Sequence, residues 1–165
     1  MTTDQQARIL SQYIGNEMIY LRNFERNDAL ELQKCGYSDL SATSVETLID
    51  NWNKKQFNGK YFEMFAIIAD EKVVGTVSLY QHSSGVVSIG PEIFCEYRRN
   101  GFAKEAMICA CQIAKEKGFI AVSQQVRTDN VASIALHSSL GFETNGVVFA
   151  NSRGNQVLIY SKSLT

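Results

Sequence analysis

The chain is poor in several things that would otherwise define it. It has one proline, two histidines, one tryptophan and four cysteines among 165 residues. With Pro91 alone, and with no repeat or low-complexity tract, no stretch reads as a linker. Only Cys109 and Cys111 are close in sequence, within a helical pattern; two residues apart on a helix they point to different faces. That spacing excludes a disulfide or a metal pair between them, and Cys35, Cys95, Cys109 and Cys111 are expected as reduced, mostly buried thiols of a cytosolic protein with no metal site. No apolar run approaches the ~20 residues of a membrane span. The opening MTTDQQARIL lacks the basic region and apolar block of a secretory signal. Together these point to a cytoplasmic chain. Formal net charge is −1, so no global field attracts nucleic acid or an anionic membrane, and any anion site must be local. What is present is a 45% hydrophobic composition, ordinary for one globular domain with a proper core.

The apolar spacing alternates between periods. TDQQARILSQYI predicts a short amphipathic helix with Thr3 and Gln6 as a capping box, and EMIYLR a strand. NDALELQKCG predicts a helix between Asn27 as cap and Gly36 as terminator. In TSVETLIDNW, Thr43 and Glu46 suggest a capping box, with Val45, Leu48, Ile49 and Trp52 along one face. YFEMFAIIA, VVGTVSLYQ and VVSIGPEIFC read as a three-stranded meander joined by DEK and HSSG. Gly101 to Lys117 is helical, with Ala103, Ala106, Met107, Ala110 and Ala114 in one stripe and Gly118 at its end. IAVSQQV is a strand, NVASIALHSSLG a helix, and GVVFA with QVLIYS a hairpin around NSRGN. This order implies a mixed α/β sheet with helices on both faces.

RRNGFAKEA, residues 98–106, turns a strand directly into a helix. The first turn of a helix has unpaired N–H donors and a partial positive charge. Arg98, Arg99 and Lys104 add cations, and Gly101 lets a ligand approach the backbone, so the junction suits a diphosphate. The same residues also suit a plain turn with solvated arginines.

Arg98, Gly101 and Ala103 reproduce the Arg/Gln-x-x-Gly-x-Gly/Ala spacing of the acetyl-CoA-binding signature of the GNAT N-acetyltransferases, which the chain resembles. The run from Gly101 through Glu105 and Ala106 resembles the subgroup that acetylates ribosomal-protein N-termini, the Rim group. A second block, Asn130, Ser133 and Leu140-Gly141-Phe142, is similar to the family's later helix and its LGF ending. A weaker third, IYLRNFERNDALEL, is similar to its opening strand and helix. The resemblance implies a mostly antiparallel mixed sheet of about seven strands. It implies a single acetyltransferase domain over 17–165, with 1–16 as an N-terminal helical extension.

By that resemblance, backbone N–H groups over Arg99, Asn100, Gly101, Phe102 and Ala103 face the pyrophosphate of acetyl-CoA, with Arg98 at the mouth and Lys104 adding charge. Asn130 and Ser133 line the pantetheine end. Family members splay two central strands, which leaves the N–H of Ile93 or Phe94 to stabilise the developing oxyanion. An α-amine with a pKa near ~8 needs little help to lose its proton, whereas a lysine near ~10.4 needs a base. Glu92, Glu63 and His82 are candidate bases, with solvent exposure the plain alternative for Glu92. Where the family commonly has a tyrosine that protonates the leaving thiolate, this chain has His137, either a donor or a packing histidine. The implied activity is acetyl transfer to a primary amine of unidentified kind, by a monomer or homodimer. The alternative is a catalytically silent acyl-CoA-binding module. An acceptor wall including Phe24, Tyr37, Trp52, Phe57, Tyr61 and Phe149 would fit the family's arrangement, though the same residues also suit a core.

Overall fold

The computed structural model describes residues 11–14 and 17–165. Along them run β1 (Ser11–Ile14), β2 (Glu17–Asn23), α1 (Ala29–Cys35), α2 (Ala42–Trp52), β3 (Gln56–Phe57), β4 (Lys60–Ala69), β5 (Lys72–Ser83) and β6 (Val86–Ile93). After them come α3 (Phe102–Glu116), β7 (Ala121–Arg127), α4 (Val131–Ser139), β8 (Phe149–Ala150) and β9 (Gln156–Ser163). One sheet orders its strands β1-β2-β4-β5-β6-β7-β9-β8, with β3 paired to β4 off that path. Every pairing is antiparallel except β6 with β7. The expected mixed, mostly antiparallel sheet is therefore present.

Tight turns set the meander. Asp70 and Glu71, both at positive φ (48° and 59°), close β4 onto β5, with Ala69 opposite Lys72. Two successive positive φ values give the twist that adjacent antiparallel strands require. Asn58-Gly59 makes the same turn between β3 and β4. β3 is too short to show a periodicity, and the Asn-Gly pair was its only signal.

Alternation along the strands divides the core between the two faces. On one, Val77, Leu79, Val87, Ile89 and Val122 pack with Phe102, Ala106, Met107, Ala110, Ile113 and Ala114 of α3. The alanines let this helix lie close to the sheet. On the other, Ala66, Ile68, Val73 and Phe94 pack with Leu32 of α1 and Val45, Ile49 and Trp52 of α2. No helix among the described residues is long and apolar enough to cross a membrane.

Four local expectations are corrected. Ser11–Ile14, expected within a helix, is a strand paired with β2 from Ser11↔Tyr20 to Ile14↔Glu17; ladder bonding to the adjacent strand overrides a short helical pattern. The rest of that expected helix lies outside the described residues. The cap of α2 is Ser41, whose Oγ accepts from the Ser44 N–H at 3.1 Å, and not Thr43. Asn27 lies inside a 3₁₀ turn, Arg26–Asp28, that leads into α1. The four cysteines are free as expected, but only Cys109 is buried, and Cys95 is exposed.

Candidate active site

The site begins where the sheet comes apart. β6 and β7 pair only at Val86↔Ala121 and Val87↔Val122. Beyond that, β6 stays with β5 as far as Ile93, and β7 stays with β9 as far as Arg127. Antiparallel ladders direct the backbone groups of successive residues to alternate sides. The Phe94 N–H goes to the Val74 carbonyl at 3.0 Å, so Ile93, Pro91 and Ile89 direct theirs toward the departed β7. The Ile93 carbonyl accepts from Arg98 Nε there at 3.0 Å, and the Ile89 N–H donates to Gln124 Oε1 at 2.9 Å. Pro91 falls in this phase, where its missing N–H costs no ladder bond.

This alternation separates the two candidate donors. Phe94, expected as one of them, has its N–H committed to the ladder and its ring buried against α1 and α2. Ile93 directs its N–H into the opening.

Beyond β6 the chain makes a 3₁₀ turn, Cys95–Tyr97, and enters α3 through Arg99 at φ 64° and Gly101 at φ 78°. The Asn100 side chain donates to the carbonyls of Tyr97 (3.0 Å) and Arg98 (3.3 Å), which pins the loop from within. Gly101 is the N-cap residue of α3, and no side chain caps the helix. A fifteen-residue helix thus presents its first-turn amides and its positive end with Arg98, Arg99 and Lys104 around them.

A groove of about 1360 Å³ joins this helix end to the strand opening. Of the expected cofactor residues, Ile93, Arg98, Arg99, Gly101, Phe102, Ala103, Lys104, Asn130 and Ser133 line it, as do Glu92 and His137. Asn100 and Phe94 are not among its lining residues. The groove draws on both faces of the sheet: Gln124 and His137 from the α3/α4 side, and Glu92 from the α1/α2 side. Glu92 is in phase along β6 with Phe94, whose ring packs with α1 and α2; burial, helped by the nearby Glu92 carboxylate, pushes the phenol of Tyr37, just beyond α1, up. The aromatic residues expected as an acceptor wall do not line the groove. Phe24 and Trp52 are core.

Glu63 lies elsewhere. It is 3% exposed and receives bonds from the Tyr61 hydroxyl and from Asn23 Nδ2 (3.0 Å). Lys117 at 3.2 Å and Lys55 at 3.6 Å complete the cluster. Burial alone would raise its carboxyl, but the hydrogen bonds and the two ammonium groups outweigh burial and hold it below the usual range. It ties β4 to the C-terminal end of α3 and has no part in the groove. His82 lines the groove but is exposed, with its ring edge-on to Tyr80 at 5.7 Å.

His137 is 3% exposed. Its Nδ1 lies 2.7 Å from the Ser133 carbonyl, which can only accept, so Nδ1 carries the proton. Nε2 is then the acceptor, and Gln124 Nε2 donates to it. Burial holds the ring below its ordinary pKa, despite the opposing Ser133 bond. The expected thiolate acid is therefore a neutral ring whose single N–H is already committed. Sequence reasoning also missed Gln124. Its signal was a polar residue in the buried phase of AVSQQVR, between Val122 and Val126.

The acetyltransferase (GNAT) domain model matches residues 19–143. No curated relative matches the chain in sequence. Among solved structures, RimJ of Mycobacterium smegmatis, in complex with CoA-disulfide, superposes with a TM-score of 0.77 at 16% identity, over 94% of this chain and 86% of that one. The acetyltransferase from Salmonella typhimurium that modifies the N-terminal serine of ribosomal protein L7/L12 gives 0.71 at 15%, over 88% and 94%. The microcin C7 self-immunity acetyltransferase MccE, in complex with acetyl-CoA and AMP, gives 0.72 at 19%, over 88% and 92%. With an uncapped helix opening on a split sheet and a domain match over most of its length, the chain belongs to the GNAT acetyltransferase family.

Proposed function

We propose that the chain transfers an acetyl group from acetyl-CoA to a primary amine, borne by a protein N-terminus or a small molecule. The observation that carries this reading is the bare N-terminus of α3, with three cationic side chains, facing the gap between β6 and β7. The fit to the cofactor is chemical. Amides without a side-chain cap at a helix's positive end suit a diphosphate, and Gly101 leaves the approach clear.

Bound acetyl-CoA supplies the acetyl group as a thioester. Residues 99–104 offer backbone donors and charge to the diphosphate, while Asn100 holds the loop rigid. Arg98 anchors the loop to the Ile93 carbonyl. The Ile93 N–H is a donor for developing negative charge in the opening, a role often worth ~3 kcal/mol. Glu92, exposed on the opposite face, is placed to take a proton from an incoming amine, directly or through water. An α-amine, partly neutral near pH ~8, asks least of it. Its Rim-like structural neighbours support a peptide N-terminus as acceptor; the protein from Salmonella modifies an N-terminal serine.

Calorimetry with acetyl-CoA, followed by thiol release with serine-initiated peptides and small amines, tests the proposal. Micromolar binding with amine-dependent release is expected. Folded protein that binds no acetyl-CoA at a hundredfold excess over ~1 μM overturns it.

A further inference from the structure

The place where β6 and β7 separate is bridged by side chains. The Ile89 N–H, which would enter a backbone ladder had β7 stayed alongside, donates instead to Gln124 Oε1 at 2.9 Å. The other end of that amide donates to His137 Nε2, and His137 Nδ1–H donates to the Ser133 carbonyl at 2.7 Å. Each member has one orientation that satisfies its neighbours. If the ring carried its proton on Nε2 instead, it would face the Gln124 amide hydrogens and leave Nδ1 against a carbonyl. The chain of bonds runs from β6 through β7 to α4, across the floor of the groove. All three of Ile89, Gln124 and His137 are at least nine-tenths buried.

We propose that Gln124 and His137 are positioning residues: together they form a side-chain rung that replaces the lost ladder bond at Ile89, fixes where the strands part, and so sets the Ile93 N–H in the opening. The rung's polar atoms bond to one another and to the backbone of Ile89 and Ser133. Its action is to hold β6 at a defined distance from β7 and α4, four residues before the donor. The rung requires a neutral imidazole, because an imidazolium has no acceptor for the Gln124 amide. The ring's surroundings suit that state. Phe142 lies edge-on at 5.0 Å and Tyr160 of β9 at 5.8 Å. Lys162, also of β9, has its Nζ on the Leu140 carbonyl at 2.7 Å and 5.9 Å from the centre of the Phe142 ring. Ser133 Oγ, 3.3 Å from Nδ1, is the polar neighbour on α4 itself. None of these groups is a carboxylate that would favour protonation.

The part of this inference that concerns rate rests on the acetyl-transfer reading; the part that concerns the rung does not. Three measurements therefore go together. Nitrogen-detected NMR of the folded protein, which has only two histidines, is expected to show one ring in the Nδ1–H form that stays neutral as pH falls through ~6.5, the ordinary histidine value. Amide exchange at Ile89 should rise at least tenfold in Gln124→Leu. The double variant Gln124→Leu/His137→Leu, whose apolar pair fills the same space, should fold with native circular dichroism and a lowered melting point, because the Ile89 N–H is left unpaired, and should lose at least tenfold in kcat/KM. Gln124→Glu, which keeps the acceptor for Ile89 but loses the donor to His137, should keep Ile89 protected. An Nε2–H ring, unchanged Ile89 exchange in Gln124→Leu, or wild-type kcat/KM in the double variant would each overturn the proposal. Absence of acetyl-CoA binding in the parent, with tautomer and exchange as expected, would instead sink the activity and leave the rung standing.

Discussion

The two ends of α3 are built on opposite terms. At the N-terminal end Gly101 provides no cap, and cations stand around unpaired amides. At the other end Gly118, at φ 93°, turns the chain and donates to the Lys115 carbonyl at 3.0 Å, while Lys117 reaches the buried Glu63 at 3.2 Å. One end has its backbone groups and charges satisfied within the protein. The other keeps donors in reserve. A helix terminus left bare costs stability unless something else supplies the missing bonds, so the contrast within a single helix distinguishes a binding end from a structural one. α2 provides the reference, since its N-terminus is capped in the ordinary way by Ser41.

The largest expected effect breaks the open end. Gly101→Glu puts a carboxylate where an anion is to bind and forces a side chain into positive φ; acetyl-CoA binding should become undetectable by calorimetry while circular dichroism stays native. Breaking the closed end should do the reverse. Glu63→Ala removes the carboxylate shared by Lys55, Lys117, Tyr61 and Asn23 and should cost about 2 kcal/mol in urea unfolding through the hydrogen bonds lost, with acetyl-CoA affinity per folded molecule unchanged. Smaller still, Ser41→Ala should cost about 1 kcal/mol and leave the groove untouched, which sets the scale of an ordinary cap against the one α3 lacks.

Acid titration sharpens the comparison, because two buried groups respond in different windows. The folded His137 resists protonation, while in the unfolded chain a histidine protonates near ~6.5. Stability should therefore begin to fall as pH drops through that value, and stop falling on this account once the folded ring protonates. Glu63 is held below its ordinary value, so its contribution is fully present above ~4.3, the unfolded glutamate pKa, and is lost as pH falls through the folded one. Thermal melts across pH should show His137→Leu removing the upper part of the decline and Glu63→Gln the lower. A single shared window would show that the two clusters do not titrate as described.

Much of the site was legible from local pattern. RRNGFAKEA announced a helix start with cations and a glycine, and the structure puts that start in the groove, uncapped. Pro91 was visible within a central strand, but its meaning, a strand edge with no neighbour, required knowing that β7 departs after Val122. His137 and Gln124 are thirteen residues apart, and no periodicity links a polar residue on a strand to one on the next helix. Glu63 and Glu92 both sit in alternating strands, and only the packing of α3's far end against one of them made it a structural carboxylate.

From β2 onward, the two-residue β3 apart, the sequence by itself determined the order of helices and strands, the turns of the meander and the character of the α3 entry, because these depend on neighbours within a few residues. The tertiary structure decided which backbone amides remain unpaired, which histidine nitrogen carries the proton, and which carboxylate faces solvent. Each of those depends on a partner brought from a distant part of the chain, and hydrogen bonds and burial act only once that partner has arrived.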